Sequence, residues 1–306
     1  MQLGQGCANK DKGCDPVKFP QVQIPSYITD RQQAVNYLVR HYWNGFLKLE
    51  ACPKIVESTI NGVDSLSFDQ AVGNYAGLLA MADAKSAGMS VEQLFENLDS
   101  LALHGNRRPL MAVIDRAEYY LYNPNSPMLN EEVYLNFLNG ILSLEALTQT
   151  DKMQYEYQHK ICSLNRVGTP AADFEFRQLA GMPHKYADKT LYKDVKGEYT
   201  LLFFNNPDCG SCADILAAIK GSILGAMAQQ GDLAVLAMYI DEDLEAWYRN
   251  REKFPQEWIY AHDHNLVLRD NNIYGLRAIP SLYLLDKEKK VLLKDATVDK
   301  VIEYFL

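Results

Sequence analysis

Cys209 and Cys212 stand apart from the rest of this sequence. They are separated by Gly210 and Ser211 in the stretch FFNNPDCGSCADIL, residues 203–216. An apolar strand-like run leads in and a helical pattern leads out. Three-residue spacing on a first helical turn brings two sulfurs within bonding reach. The unpaired N–H groups and the positive end of the helix dipole lie at that turn. Both stabilise a thiolate, so the first cysteine should ionise below the free-thiol value of about 8.5. One thiolate can then attack a partner's disulfide while the second resolves the mixed species. In this reading Cys209 is the exposed attacker, and Cys212, one turn inward, is the resolver.

Such a pair needs a strand to deliver it and a helix to carry it. YTLLFF, Tyr199–Phe204, is a continuous apolar run, the pattern of a strand covered on both faces. A helix is predicted from Cys212 to about Ala228, with Ile215, Leu216, Ile219, Ile223 and Met227 on its inward stripe. A strand over Leu233–Ile240 and a helix from Leu244 to about Lys253 follow. Ser281–Asp286 and Lys290–Lys294 flank a short KEK tip and read as an antiparallel hairpin, with Asp286–Lys290 solvated and a last helix over Val298–Phe305. The result is an α/β layer domain with a mixed sheet. Pro280 directly precedes the first hairpin strand. A proline cannot donate to a ladder, so this position suits an edge, a bulge or a cis bond. A cis bond would turn the Ile279 backbone outward, where an extended substrate strand could pair with it.

The first half has a different texture. From Thr29 to Asn165 the apolar residues recur with helical period and no strand pattern intrudes. Thr29 and Asp30 are capping candidates for the first helix. Ser67–Ala87, Ser90–Leu103, Arg107–Tyr122, Asn130–Leu147 and Asp151–Leu164 read as further helices, with Ser90 and Gln93 forming a capping box. Trp43, Trp247 and Trp258 read as core anchors. The expected organisation is a flexible leader over 1–28, an all-α helical domain over 29–165 and an α/β domain over 166–306.

Composition narrows the partners. The 306 residues are 48% apolar and carry a formal charge of −9. An acidic surface argues against nucleic acid, which rewards basic ones. No apolar run approaches the about 18 residues of a membrane span. The start, MQLGQGCANKDKGC, has no hydrophobic signal region, which reads as a cytosolic chain or a mature, trimmed form. Cys7 is the one candidate for a lipid anchor, in a GQGC context without Leu three residues before it, and Cys14 could pair with it. Cys52 and Cys162 read as buried small hydrophobes.

The combination GTPAADFEF, LLFFNNPDCGSC, LAMYIDED and YGLRAIPSLYLLDKEKKVLLK resembles the thioredoxin superfamily, and within it the extracytoplasmic thiol–disulfide oxidoreductases of the TlpA/ResA type. The likeness covers roughly Asn165 to Leu306. It implies that Cys209 is the nucleophile and Cys212 the resolver, that Pro280 is the family's cis-proline, and that Ile279 and Pro280 shape the substrate groove. It implies a protein disulfide or dithiol as substrate, a redox partner protein and no organic cofactor, in a periplasmic or outer-envelope setting. The helical half, including YYLYNPNSPMLNEEVY, is similar to a bacterial domain of unknown function that precedes such modules.

The sequence departs from that family in two places. Pro207-Asp208 stands where a Trp is usual, and Asp208 should partly offset the helix's effect on Cys209. Phe203 stands where many thioredoxins bury an acid, leaving Glu198, Asp241 or water as proton acceptors for the second thiol. Three other readings compete with exchange. A zinc site needs two more ligands, and His262 and His264 of the HDH motif read as solvent-facing. A peroxidase would place Thr or Ser where Asn206 stands. A thioredoxin-like binding or scaffolding protein with an idle disulfide is the alternative function.

Overall fold

A computed structural model of the chain describes residues 16–49, 59–181 and 185–306. The chain separates into two compact units, Met1–His159 and Lys160–Leu306.

The first unit is helical. Helix α1 (Arg31–His41) starts at Asp30, whose carboxylate accepts the Gln33 amide at 2.8 Å. After a break at Trp43, α2 (Asn44–Leu47) carries Phe46 into an aromatic nest with Phe19, Trp43 and Phe68. A short hairpin then intrudes where only helix was expected. Strand β1 (Thr59–Ile60) pairs antiparallel with β2 (Val63–Asp64). Asn61 and Gly62 form its turn with φ of 47° and 81°, the positive values that an Asn-Gly hairpin turn needs. Asp64 caps α3 (Ser65–Met81) and Asp83 caps α4 (Ala84–Leu103).

The break between these two helices therefore lies at Ala82–Asp83 and not near Ser90. Ser90 is buried in mid-helix, where its hydroxyl bonds to the Val39 carbonyl and meets the Tyr75 hydroxyl. The helical series ends with α5 (Arg108–Leu121), α6 (Glu131–Ser143), capped by Asn130, and α7 (Gln149–Cys162).

The second unit is built on a seven-stranded sheet. Its strands are β3 (Glu175–Gly181), β4 (Lys185–Thr190), β5 (Tyr199–Asn205), β6 (Leu233–Tyr239), β7 (Ile259–His262), β8 (Ser281–Leu285) and β9 (Val291–Leu293). They lie in the order β4-β3-β7-β6-β5-β8-β9. β5, β6 and β7 run parallel; β8 is antiparallel to β5, and β9 to β8. The mixed sheet and closing hairpin match the expectation from sequence. The β3–β4 hairpin, antiparallel to β7 through β3, was not expected.

Side chains of β5 alternate between two cores. Leu201 and Phe203 join Cys212, Ile219, Trp247 and Leu282 on one face. Leu202 and Phe204 join Phe176, Leu236, Tyr274 and Tyr283 on the other. This period-two partition makes the continuous apolar run legible as a strand covered twice.

The helix after the cysteine pair is not continuous. α9 (Gly210–Lys220) and α10 (Ile223–Gln230) meet at a bend of 68°. Ser222 caps the second piece through the Leu224 amide, which resets the helical phase. Leu224 and Ala228 are therefore buried, while Ile223, expected on the inward stripe, is exposed.

The closing hairpin also differs at its tip. Lys289 has φ of 63° and is buried, with its ammonium on the Thr200 hydroxyl at 3.0 Å. Behind β9, the Lys294 ammonium donates to the carbonyls of Ile161, Cys162 and Leu164, closing off the end of α7. Short elements complete the unit: α8 (Leu191–Asp194), α11 (Leu244–Arg249), α12 (Val267–Asp270) and α13 (Val298–Glu303).

One contact in the helical unit gives a direct test of its packing. A methyl group built on Gly140 of α6 would lie 2.3 Å from the Phe95 ring of α4. Both residues are buried, so the ring has little room to retreat. Gly140→Ala should therefore destabilise the protein by about 1–3 kcal/mol, despite alanine's better helix propensity. A urea melt checks this; a variant as stable as the parent would show that α4 and α6 can part without cost.

Candidate active site: a dithiol at the head of a helix

Strand β5 ends at Asn205, and the next four residues form a turn closed by Asn206. The Asn206 side-chain oxygen accepts the Asp208 amide at 2.9 Å, and its carbonyl accepts the Cys209 amide at 3.0 Å. An asparagine that bonds two residues ahead is a compact way to reverse a chain. The turn leaves Cys209 as the cap residue of α9, with extended backbone (φ −90°, ψ 126°). That position usually holds a side-chain oxygen that accepts a first-turn amide. Here it holds a sulfur.

The two thiols occupy different environments. Cys209 is half-buried and Cys212 is 3% exposed. The Cys212 amide, then the Cys212 thiol, draw the Cys209 thiol below its ordinary range. Burial drives the Cys212 thiol the other way, up to about 12, against the opposing pull of the Asn206 amide. Both cysteines are free thiols, so this is the reduced pair.

Asp208, expected to oppose ionisation of Cys209, is itself matched. Its carboxylate lies 3.3 Å from Arg249, 3.2 Å from the Asn250 amide and 3.9 Å from Lys253. Lys253 also donates to the Pro207 carbonyl at 3.0 Å. These charges are largely solvent-exposed, so each pair is weak alone. Together they keep one uncompensated carboxylate from facing the sulfur.

Sheet register brings the proline segment to the same end of the sheet. Ser281 pairs with Phe204, so the register carried on sets Pro280 level with Asn205, the last residue of β5, and Ile279 level with Asn206 of the cysteine turn. Ile279 packs against both cores, and the Ile279–Pro280 peptide is cis.

The two carboxylate candidates for proton acceptor separate. Phe203, at the position of the usual acid, is fully buried on the same face as Cys212. Glu198 precedes the opposite end of β5 and pairs with Lys287 at 2.7 Å, which removes it from the site. Asp241 is close: it accepts from the Asn206 side-chain amide at 2.6 Å. The Asn206 backbone amide in turn points to the Cys212 sulfur at 3.4 Å.

His262, expected to face solvent, is instead buried. Its Nε2 lies 2.8 Å from the Asp241 carbonyl, and its ring stacks on Tyr239 and packs at a tilt against Trp247. The reason is the unexpected β3–β4 hairpin, which makes β7 an interior strand and covers its end. Burial lowers the histidine's pKa, so the neutral ring donates from Nε2 to that carbonyl. His264 is mostly covered as well, with its side chain 13% exposed. Asp243 caps α11 through the Ala246 amide, as its place before a helix suggested. Cys162 is buried. Cys7, Cys14 and Cys52 lie outside the described residues.

Residues 4–165 match the family described as a domain of unknown function, DUF5106. The chain belongs to that family. A thioredoxin-like protein from Bacteroides caccae is similar over almost the whole length. The two share 31% identity over 94% of this chain and 97% of that one, with a TM-score of 0.81. This DUF5106 protein is thus helical in its first half and thioredoxin-like in its second. The C-terminal domain of an uncharacterized protein from Bacteroides fragilis shares 45% identity over 46% of this chain and 96% of its own, with a TM-score of 0.42. A conserved protein of unknown function from Bacteroides fragilis shares 33% identity over 46% of this chain and 99% of its own, with a TM-score of 0.43. No curated protein matches the chain.

The asymmetry of the two thiols has a measurable signature. Thiolate is the reactive form, so alkylation accelerates with pH up to the thiol's pKa and then levels off. For Cys209 the midpoint should fall below the free-thiol value of about 8.5. Cys212 should stay unmodified through pH 9. Peptide mapping after brief iodoacetamide treatment assigns the two. Equal labelling of both sulfurs at pH 7 would contradict the described environment.

Proposed function

We propose that this protein is a thiol–disulfide oxidoreductase that exchanges the Cys209–Cys212 dithiol with disulfides of protein substrates. The observation that carries the reading is the pair itself. A half-buried thiol, easy to ionise, stands at the cap position of a helix that carries, three residues on, a buried thiol that is hard to ionise. A structural cysteine pair has no need of this difference, whereas sequential exchange does.

The steps balance as follows. The Cys209 thiolate attacks one sulfur of the substrate disulfide; that bond breaks, a mixed disulfide forms, and the other substrate sulfur leaves and takes up a proton. Cys212 then loses its proton and attacks the Cys209 sulfur, expelling the second substrate thiolate. The substrate gains two electrons and the pair becomes a disulfide. A dithiol partner protein resets it, and the reverse direction uses the same atoms. Ile279 and Pro280 form the wall of the substrate groove, on the strength of their place beside the turn.

The resemblance to TlpA/ResA-type proteins supports a cell-envelope setting, which fractionation of the source cells tests: recovery solely in the cytosol would remove it. The helical domain is assigned to selecting partners or positioning the active site, and a chain lacking residues 1–165 with unchanged substrate range and rate would remove that role. One observation favours a second reading, in which the pair is idle and the protein binds or scaffolds. Phe203 fills the place of the buried acid, so the second thiol lacks the usual proton acceptor on β5.

Insulin reduction with dithiothreitol separates the readings. The native protein should precipitate insulin faster than the dithiothreitol background, and Cys209→Ala should fall to that background. Cys212→Ser should accumulate a mixed disulfide visible by non-reducing electrophoresis. Native and Cys209→Ala proteins with equal rates would leave the binding reading standing alone.

A further inference from the structure

We propose that Asn206 and Asp241 act as positioning residues for the second chemical step, holding a backbone N–H on the Cys212 sulfur as that sulfur becomes a nucleophile. The inference deepens the exchange reading above and rests on it for its biological meaning, though not for its test.

Asn206 is bonded in four directions. Its backbone amide donates to Cys212 Sγ at 3.4 Å. Its carbonyl and side-chain oxygen accept the amides of Cys209 and Asp208. Its side-chain Nδ2 donates to Asp241 Oδ2 at 2.6 Å. The first three bonds are local and move with the turn. The fourth is the anchor, because Asp241 belongs to the segment after β6. That segment is held in turn by His262 of β7, through the Asp241 carbonyl at 2.8 Å. The path from β7 to the buried sulfur is therefore a series of hydrogen bonds: ring to carbonyl, carboxylate to amide, amide to sulfur.

The chemistry needs this anchor at one moment. Cys212 is surrounded by hydrocarbon, including Phe203 and Ile219. A thiolate there is costly unless a donor meets it. The Asn206 N–H is such a donor, and it is charge-assisted only once the sulfur has lost its proton. An interaction stronger in the activated state than in the resting thiol accelerates the step in which it appears. The attack by Cys209 on a visiting disulfide does not draw on it. Asp241 is thus expected to act on resolution and to leave attack unchanged.

Ellman's reagent tests this on the whole reduced protein without any protein substrate. Cys209 attacks the reagent, releasing one thionitrobenzoate and retaining the other as a mixed disulfide. Cys212 then gives its proton to solvent, attacks Cys209 Sγ and expels the second thionitrobenzoate. In stopped flow, after subtraction of the Cys209→Ala trace, the first phase scales with reagent concentration and the second does not. Asp241→Ala should slow the second phase by about ten-fold, the value of one charge-assisted hydrogen bond, with the first phase within about two-fold of wild type. Asp241→Asn retains an oxygen that can accept from Asn206 and should restore most of the rate.

Three outcomes would overturn the proposal. They are a second phase of wild-type speed in Asp241→Ala, an Asp241→Asn as slow as Asp241→Ala, or both phases slowed by the same factor. If the second phase depends on Asp241 as stated while insulin is left untouched, the positioning role stands and the protein-substrate reading falls.

Discussion

A strand buried on both faces has to be paired along its whole length, and this constraint governs the second unit. β5 is flanked by β6 and β8 in unbroken register from Thr200 to Phe204. Its side chains are divided between two cores, so it can neither slip by one residue nor lengthen without turning both cores inside out. The point where it stops is therefore fixed, and so is the turn that follows. Cys209 acquires its place at the head of α9 from this register. Pro280 acquires its place from the register of β8 on the other side.

From that fixed turn the two sulfurs diverge in character. One stands where a capping oxygen is usual, with the Cys212 amide lowering its pKa; the other lies on the core face of the same helix. The separation between them in acidity follows from a single helical turn of displacement, outward for one and inward for the other. Gly210 and Ser211 set the spacing. The charges of Arg249 and Lys253 and the side-chain amide of Asn250 are matched to Asp208, which replaces the bulky ring common at that place.

The residues that carried this architecture in the sequence were those with an unambiguous period. β5, β6, β8 and β9 are apolar runs bounded by turn residues, and the Cys209–Cys212 spacing is local, so both were readable. The strands of the β3–β4 hairpin were not. KYADKT is the sheet's edge strand, and EFRQLAG, next to it, pairs with β7 only at Arg177 and Gln178, so polar side chains are tolerated and no alternation is enforced. Missing them made His262 look like the end of an exposed strand. The Asn61-Gly62 turn carries a hairpin signal, but the strands it joins are only two residues long, too short to show an alternation. The bend at Ser222 was hidden because apolar residues continue on both sides of it. Asn206 and Asp241 lie thirty-five residues apart, and no one-dimensional pattern joins them. Their contact exists only because β6 runs parallel to β5 and ends at the same edge.

Lys294 has an implication for where the second half can be severed from the first. Its ammonium is shared among three carbonyls at the end of α7, while Ile161 presses on Gly275 and the Asn165 side chain bridges Ile273 and Ala172. The last turn of that helix is thus a fitted part of the thioredoxin-like fold. An excised fragment beginning at Arg166 would take three carbonyls away from Lys294 and the Ile161 side chain away from Gly275. One beginning six residues earlier, at Lys160, keeps them.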